Sequence, residues 1–549
     1  MARSYVLPLL LASSLLGCPT EEETLPPGPD WSAEATLPDG GDRANIYELP
    51  ADELAALRAD GARFATAWPV DVSGVLVPYQ PLRRILDEDS TDPVIQNGRE
   101  LGRAFLGFDS MDALYDWVGA PVANEPGMAH PYETPLLPGD PSDRLGVSVI
   151  DTPDGEALTF SCAACHAGRL LGRTVLGLAN RRSRANSFFE FGREVVGFAD
   201  PDVLRNLGDA TDGEVALLER TAQRMGAIGT REPQSMGLDT SLAQVALSLA
   251  RRAEDPWATR DFVSAGSPRP NALETDVADS KPMPWWTLKY KTRWLSDGSI
   301  VSGNPVHTNF LWNELGRGTD LPELDAWLAD NDHAVRALTA AVFASEPPRW
   351  ADFFAPETLD RPLMEEGHAE FEERCSSCHG SYAQVGDDDA GFPVWSLTYA
   401  SRTRVVDVGT SPGRAEGMNA FAADLNRLAI SAELGTVVEP QEGYVPPPLD
   451  GVWARYPYLH NGSVPSLCAL LTPPAERPQT FVQGPSEALA DFDAECVGYP
   501  VGEAIPSEWD VEDSYDTTRE GMSNAGHDEM LVGVGPAERA ALVEFLKTL

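Results

Sequence analysis

Two short motifs in this chain each combine two thiols and one imidazole at a fixed spacing. They are Cys162-Ala-Ala-Cys165-His166 and Cys375-Ser-Ser-Cys378-His379. In a Cys-x-x-Cys-His motif, one helical turn brings both thiols to the two vinyl groups of a single porphyrin. The adjacent imidazole then lies under the iron as its proximal ligand. The motifs therefore predict two covalently bound haem c groups, with His166 and His379 as axial iron ligands.

Three other kinds of site can use the same residues. A thioredoxin-like redox centre requires a strand-to-helix setting and rarely occurs twice in one chain. A zinc site could use four thiolates, but the two pairs lie about 210 residues apart, far from the spacing of a zinc ribbon. A disulfide within each pair would leave the adjacent histidine unexplained. The repeated histidine favours haem attachment.

Three cysteines lie outside these motifs. Cys468 and Cys496 are predicted to form a disulfide, which closes a loop of about 28 residues and stabilises the fold by about 3 kcal/mol. Cys18 follows a positively charged start and a short apolar run, and Leu15-Leu16-Gly17-Cys18 resembles a bacterial lipobox. We therefore expect residues 1–17 to be a lipoprotein signal peptide and Cys18 to be lipidated. The alternative is an ordinary signal peptide with an incidental cysteine.

The composition after this signal agrees with an exported, anchored protein. Residues 18–42 are rich in proline and acidic side chains, which predicts a disordered tether. The residue after Cys18 is Pro19 rather than the aspartate of inner-membrane retention, so we expect outer-membrane anchoring, on the periplasmic or cell-surface side. With 85 acidic against 41 basic residues and a net charge of −44, nucleic-acid binding is excluded and a basic redox protein is the expected partner.

The elements that carry the motifs are predicted to be helices. Apolar spacing indicates helices over residues 53–68, 202–225 and 321–344. Another helix leads into the second motif, and Pro536 begins a final one. The first and last helices of cytochromes c pack together, so the prediction is a mainly α fold with two cytochrome c-like haem domains, long loops and few strands. The amino-terminal haem domain covers 43–348 and the carboxy-terminal one 349–549.

The remaining histidines are candidates for the opposite face of each haem. His527 lies in a polar loop before the last helix and is the predicted second ligand of the carboxy-terminal iron, with Met530 as its rival. His460 could bind iron, hold its loop or donate to a haem propionate, and the last role is favoured. For the first iron the candidates are His130, His307 or no protein ligand. His333 and His368 are expected to be solvated or structural.

Several segments of the chain, most of them in the second half, resemble the bacterial dihaem cytochrome c peroxidase superfamily, which includes the methylamine-utilisation dihaem enzyme. Within it, the haem-dependent rubber oxygenase branch is most similar. The segments that carry the resemblance are Leu158-Thr159-Phe160-Ser161, Pro284-Trp285-Trp286, Cys375-Ser376-Ser377-Cys378-His379, Pro448-Leu449-Asp450-Gly451-Val452-Trp453-Ala454-Arg455, Pro457-Tyr458-Leu459-His460-Asn461-Gly462-Ser463-Val464-Pro465, Pro473-Pro474-Ala475-Glu476-Arg477 and Gly526-His527. Together they extend over most of residues 95–549.

The resemblance implies a division of labour between the haems. The haem on His166 would react with oxygen or peroxide, the haem on His379 and His527 would handle electrons, and Trp286 would lie between them. Trp286 and His460 are the candidate catalytic residues. The expected function is an exported dihaem oxidoreductase that uses peroxide or dioxygen. The alternative is a non-enzymatic dihaem electron carrier, and the sequence leaves open whether a calcium ion lies between the haems.

Overall fold

A computed structural model of the chain describes residues 26, 28–38, 40–135, 143–196, 199–510 and 513–549. The predicted signal peptide at 1–17, the lipidation site Cys18 and residues 19–25, 27 and 39 of the predicted tether lie outside these residues. None of the helices described there is long and apolar enough to cross a membrane.

The amino-terminal half consists mainly of helices. They are α1 (Ala51–Ala67), α2 (Tyr79–Asp87), α3 (Pro93–Leu106), α4 (Met111–Val118), α5 (Ala163–His166), α6 (Ala185–Val196), α7 (Pro201–Gly208), α8 (Asp212–Met225), α9 (Ser241–Ala250), α10 (Phe262–Gly266), α11 (Pro305–Gly316), α12 (Leu321–Asp330) and α13 (Asp332–Phe343). The strands are β1 (Val77–Pro78), β2 (Val147–Thr152), β3 (Gly155–Phe160), β4 (Ala167–Leu170), β5 (Arg173–Leu176) and β6 (Ile300–Ser302).

The carboxy-terminal half begins and ends with its longest helices. Its helices are α14 (Arg361–Arg374), α15 (Ser376–His379), α16 (Gly413–Gly417), α17 (Ala422–Asn426), α18 (Ala429–Glu433), α19 (Leu467–Leu470) and α20 (Pro536–Leu546). Its strands are β7 (Ser381–Asp387), β8 (Pro393–Thr398), β9 (Val437–Val438), β10 (Thr480–Val482) and β11 (Ser514–Asp516). The strands pair antiparallel, in a three-stranded sheet β1-β3-β2 and in two-stranded pairs. The prediction of a mainly α fold with few strands is confirmed.

Local sequence signals explain where several helices begin and end. Thr211 and Glu214 form a capping box that starts α8, so the helix predicted over 202–225 is interrupted just before it. The helix predicted over 321–344 is also two helices. Asn331 ends α12, and its side-chain amide donates to the carbonyl of Trp327 at 2.8 Å. That bond competes with the helical ladder, as asparagine side chains commonly do.

Each half is closed by its first and last helices, which pack against each other. In the first half, Gly61 of α1 lies so close to α13 that an added Cβ would be 1.9 Å from the carbonyl oxygen of Ala337. In the second half, a Cβ on Gly367 of α14 would be 1.8 Å from the carbonyl oxygen of Ala541 in α20. Both pairs therefore depend on a glycine that lets two backbones approach closely. The α14–α20 pair is the arrangement that the cytochrome c pattern predicts.

The two halves share their cores. The core cluster around α9, α11 and α13 includes side chains from residues 418–438, which belong to the second half of the chain. Conversely, the cluster around Trp453 and Phe545 takes in Leu170, Val175 and Trp286 from the first half. The domain boundary predicted at 348/349 stays a prediction, and a cut there would separate residues that share a core.

The close helix contact at Gly367 generates a stability prediction. Gly367→Ala should lower the free energy of unfolding by about 2 kcal/mol, since the new methyl group forces α14 and α20 apart. Alanine is otherwise the better helix former, so loss of stability is the signature of the clash. Urea unfolding followed by circular dichroism measures the change. The exposed neighbour Glu366→Ala is the control, and a Gly367→Ala protein as stable as this control would contradict the prediction.

Candidate haem-binding sites

The second Cys-x-x-Cys-His motif lies at the end of α14. Asp360 caps this helix by accepting a hydrogen bond from the backbone N–H of Leu363. The chain continues through Cys375 into the single turn α15, in which the N–H of His379 donates to the carbonyl of Cys375 at 3.0 Å. This turn brings both thiols and the imidazole to the wall of one cavity.

The cavity has a volume of about 450 Å³, within the range of small-molecule and cofactor sites, about 300–1,000 Å³. Its wall is mostly aliphatic, with contributions from α19, α20 and residues 444–460. His379 and His527 both line it, although 148 positions separate them in the sequence. An apolar cavity bounded by two thiols and two imidazoles suits a porphyrin, whose faces are apolar and whose iron takes nitrogen ligands.

The two imidazoles have the geometry of a ligand pair. Their ring centres are 6.5 Å apart and their planes differ by 12°. Two metal–nitrogen bonds of about 2 Å, each extended by about 1 Å from nitrogen to ring centre, require a separation of about 6 Å. The Nδ1 of His379 donates to the carbonyl of Pro447 at 2.8 Å, which leaves its Nε2 free for a metal. The residues therefore fit one iron between His379 and His527.

Burial keeps both imidazoles neutral, the form that binds a metal. Burial, and to a smaller extent the neighbouring His379 and Arg477, lowers the pKa of His527 to about 4. Burial also lowers the pKa of His379, whereas the hydrogen bond to the Pro447 carbonyl raises it by a smaller amount. Burial raises the pKa of the Cys375 thiol to about 11.

The loop of His527 is held by a buried arginine. His527 has a left-handed backbone with φ of 66°, and its N–H donates to the carbonyl of Val408 at 2.9 Å. Arg477, only 4% exposed, donates to the carbonyls of Asn524 and Gly526 just before it. The same guanidinium bonds to the carbonyls of Leu470 and Thr472. In the sequence, Arg477 stands out only as part of a segment that carries the family resemblance. Its role in positioning the His527 loop was not predicted.

The other predicted residues of this site are distributed around it. Met530 and His460 line the cavity. The His460 ring stacks on the Tyr444 ring, with ring centres 4.1 Å apart. Burial, and to a smaller extent the positive charges of Arg414 and Lys281, lowers the pKa of His460 to about 3. Trp286 is fully buried behind the wall, where its indole N–H donates to the carbonyl of Asp450 at 2.8 Å.

A disulfide joins Cys468 to Cys496 next to this wall. Cys468 lies in α19, whose Leu467 and Leu470 line the cavity. The bridge thus supports one side of the site from outside.

The first motif forms the turn α5, followed directly by the β4–β5 hairpin. Burial raises the pKa of both Cys162 and Cys165 to about 12 and lowers that of His166 to about 4. The His166 ring contacts Trp285, with ring centres 5.5 Å apart. Two thiols and a neutral imidazole in one turn fit covalent haem attachment here as well.

No second histidine in the described ranges pairs with His166 as His527 pairs with His379. The Nδ1 of His130 lies 3.7 Å from a carboxylate oxygen of Glu346. His307 is half-buried near Asp332 and Arg336. Of the histidines expected to be solvated or structural, His333 is exposed, and His368 bonds to the carbonyl of Tyr382 at 2.7 Å.

Buried Arg317 lies near the first pair of thiols. It donates to the carbonyl of Phe160 at 3.0 Å, and its charge lowers the pKa of both thiols against the effect of burial. Its guanidinium stacks 4.4 Å from the ring centre of Trp68.

One segment connects the two motifs. The 3₁₀ helix Trp285–Tyr290 presents Trp285 to His166, while Met283, Pro284 and Thr287 line the cavity of the second site. Trp285 is in contact with an iron-ligating candidate, and the location of Trp286 between the haems stays a prediction. The contact of Trp285 was not predicted, because the sequence does not show in which direction two adjacent side chains point.

Across the part of the chain that the structure describes, no cluster of three or more His, Cys, Asp or Glu side chains is arranged to hold a bare metal ion.

Comparisons with known proteins agree with the geometry of the second site. A family model described as "RoxA-like, cytochrome c-like" matches residues 443–482, which include Tyr444, His460 and Arg477. This match supports a c-type cytochrome related to the rubber oxygenase family, and a cytochrome c-like domain implies covalently bound haem c. The match suggests a haem-based oxidoreductase or electron-transfer role.

Two curated proteins of Sinorhizobium fredii (strain NBRC 101917 / NGR234) are similar to parts of the chain. "Uncharacterized protein y4iJ" is 33% identical over 260 residues, covering 37% of this chain and 41% of the relative. "Uncharacterized protein y4iM" is 31% identical over 227 residues, covering 35% of this chain and 50% of the relative. The chain therefore spans half or less of the length of these relatives.

The contacts of Arg477 generate a prediction about the His527 loop. Arg477→Met should lower the free energy of unfolding by about 3 kcal/mol, because several carbonyls lose a charged donor. Amide hydrogen exchange over residues 524–528 should accelerate at least tenfold. The exposed Arg402→Met, which loses contacts to Glu34, is the control. Unchanged exchange in the Arg477 variant would contradict the positioning role.

Proposed function

We propose that the protein is an exported dihaem c-type oxidoreductase that uses peroxide or dioxygen. The amino-terminal haem on His166 would be the reactive one, and the carboxy-terminal haem on His379 and His527 would transfer electrons. The observation that carries this division is the asymmetry between the sites. The second has two parallel imidazoles spaced for one iron, whereas His166 faces no such partner in the described residues.

Bound haem would supply redox chemistry at both sites, and the protein residues would determine which kind. Two strong axial imidazoles favour electron transfer, whereas an iron with one protein ligand keeps a position for an oxidant. His379 is oriented by its bond to Pro447, and His527 by the loop that Arg477 clamps. Trp285 packs against His166 from the segment that also lines the second site, so this segment is the proposed electron route.

The proposed location and electron donor of the protein rest on the amino-terminal sequence and on the net charge. We propose a lipid anchor at Cys18 that holds the protein at the outer membrane. A basic redox protein would be the electron donor, since the net charge is −44. Cell fractionation of a Cys18→Ser variant tests the anchor, because release of the protein from the membrane fraction is the expected result.

The haem content and iron ligands are tested together. A pyridine haemochrome titration should give two haems c per chain, and peptide mass spectrometry should find them on the four motif cysteines. His527→Ala should convert one low-spin haem to high spin in low-temperature electron paramagnetic resonance spectra, because the iron loses one of its two strong ligands. The exposed His333→Ala should leave the spectrum unchanged. A low-spin spectrum retained in His527→Ala would remove His527 as a ligand.

The same spectra separate an enzyme from an electron carrier. The wild-type protein should show one ferric haem that is high spin or that exchanges its ligand with added cyanide. If both haems are low spin and inert to cyanide, the protein is a non-enzymatic carrier. For an enzyme, consumption of hydrogen peroxide or oxygenated cleavage of a polyisoprene identifies the reaction.

The proposed electron route predicts a difference between neighbouring tryptophans. Trp285→Phe should slow electron transfer between the haems about tenfold or more, since it removes the indole that contacts His166. Trp286→Phe is the matched comparison and should have a smaller effect, because its indole bonds to Asp450 outside the cavity wall. Stopped-flow spectroscopy after reduction of one haem measures the rates. A larger effect of Trp286→Phe would place the route through that residue.

A further inference from the structure

The cavity of the second site has an excess of buried positive charge. Lys281, Lys291 and Arg455 all line it, although the protein as a whole is strongly acidic. Arg455 lies close enough to both lysines to lower the pKa of each. Like charges of this kind repel one another and lose hydration when they are buried together. Such a cluster indicates an anionic ligand.

Lys291 is the most exceptional of the three. Lys291 is 0% exposed, and its Nζ has no hydrogen-bond partner among the described residues. Burial, and to a smaller extent the charge of Arg455, lowers its pKa to about 7. A buried polar group without a partner is rare and costly, so an unmatched ammonium that lines a cavity points to a missing acceptor.

The other two cations are bonded but not neutralised. The Lys281 ammonium donates to the carbonyls of Arg455 and Pro457, and the Arg455 guanidinium donates to the carbonyl of Pro448 at 2.7 Å. Carbonyl oxygens accept hydrogen bonds and carry no net charge. Asp450 is close enough to raise the pKa of Arg455 but forms no ion pair with these three cations within the described ranges.

The chemistry of haem c supplies anions suited to this cluster. The macrocycle carries two propionate carboxylates at the edge away from the vinyl groups. Cys375 and Cys378 would attach the vinyl edge from α14 and α15, whereas Lys281 and Lys291 belong to the segment from the first half of the chain. The two thiols and the two lysines thus belong to separate segments of the chain that meet at the cavity. Lys and Arg bind carboxylates by charge-assisted hydrogen bonds.

We propose that Lys291, together with Arg455 and Lys281, binds the propionate carboxylates of the haem attached to Cys375 and Cys378. This inference rests on the proposed function of that site and adds the residues that hold the polar edge of the haem. It also makes a segment of the first half part of the second haem site. His460, predicted from the sequence to donate to a propionate, lines the same cavity as a neutral imidazole.

The test compares Lys291→Met with Lys289→Gln in the full-length holoprotein. Lys289 is on the 3₁₀ helix that ends just before Lys291, and it does not line the cavity. Loss of the Lys291 charge should disfavour reduction of the low-spin haem, because a cation near the iron stabilises the added electron. The expected change is about tenfold in the equilibrium constant for reduction, or about 59 mV for one electron. The propionate bending band in resonance Raman spectra should move as well.

The outcomes distinguish this proposal from the proposed function. Absence of haem from Cys375 and Cys378 in the wild-type protein would overturn both. Haem present with an unchanged potential and Raman band in Lys291→Met would overturn the propionate role alone. If Lys291→Met does not fold, Lys291→Arg decides the matter. It keeps the charge and should preserve the potential while shifting the propionate band, and a wild-type band in that variant would overturn the proposal.

Discussion

The spacing of two imidazoles is the constraint on which the second site depends. His379 and His527 can share one iron only while their ring centres stay close to the observed separation of 6.5 Å. The orientation of each ring depends on a different group of contacts. The turn at the end of α14 and the bond to Pro447 orient His379. The position of His527 depends on Arg477, which binds the backbone of the preceding loop. Close packing of α14 on α20 through Gly367 stabilises the helix that leads into this turn.

The same site depends on the first half of the chain. Lys281, Lys291 and four residues between them line the cavity, and Trp285 of this segment contacts His166. In the opposite direction, residues 418–438 bury their side chains in the first core cluster. Shared cores couple the stability of the two halves.

Much of the helical framework follows from local patterns. The helix before the second motif, the final helix after Pro536 and the mainly α character were predictable from apolar spacing and proline position. The helix predicted over 321–344 divides at Asn331, because a side-chain hydrogen bond competes with the ladder there. The lysines of 281–291 were not predicted as site residues, since lysine in a loop is usually solvated. Only their burial against a cavity distinguishes Lys291.

The sequence by itself determined the chemistry of attachment. Cys-x-x-Cys-His is a local motif, and one helical turn suffices to present its thiols and imidazole. The sequence also predicted His527 as the second iron ligand, and the tertiary structure shows its ring opposite that of His379. The tertiary structure alone decided that Trp285 contacts His166 and that Lys291 lies at the cavity wall. These pairings join residues far apart in the chain, and side-chain direction and burial arise only when the segments pack together.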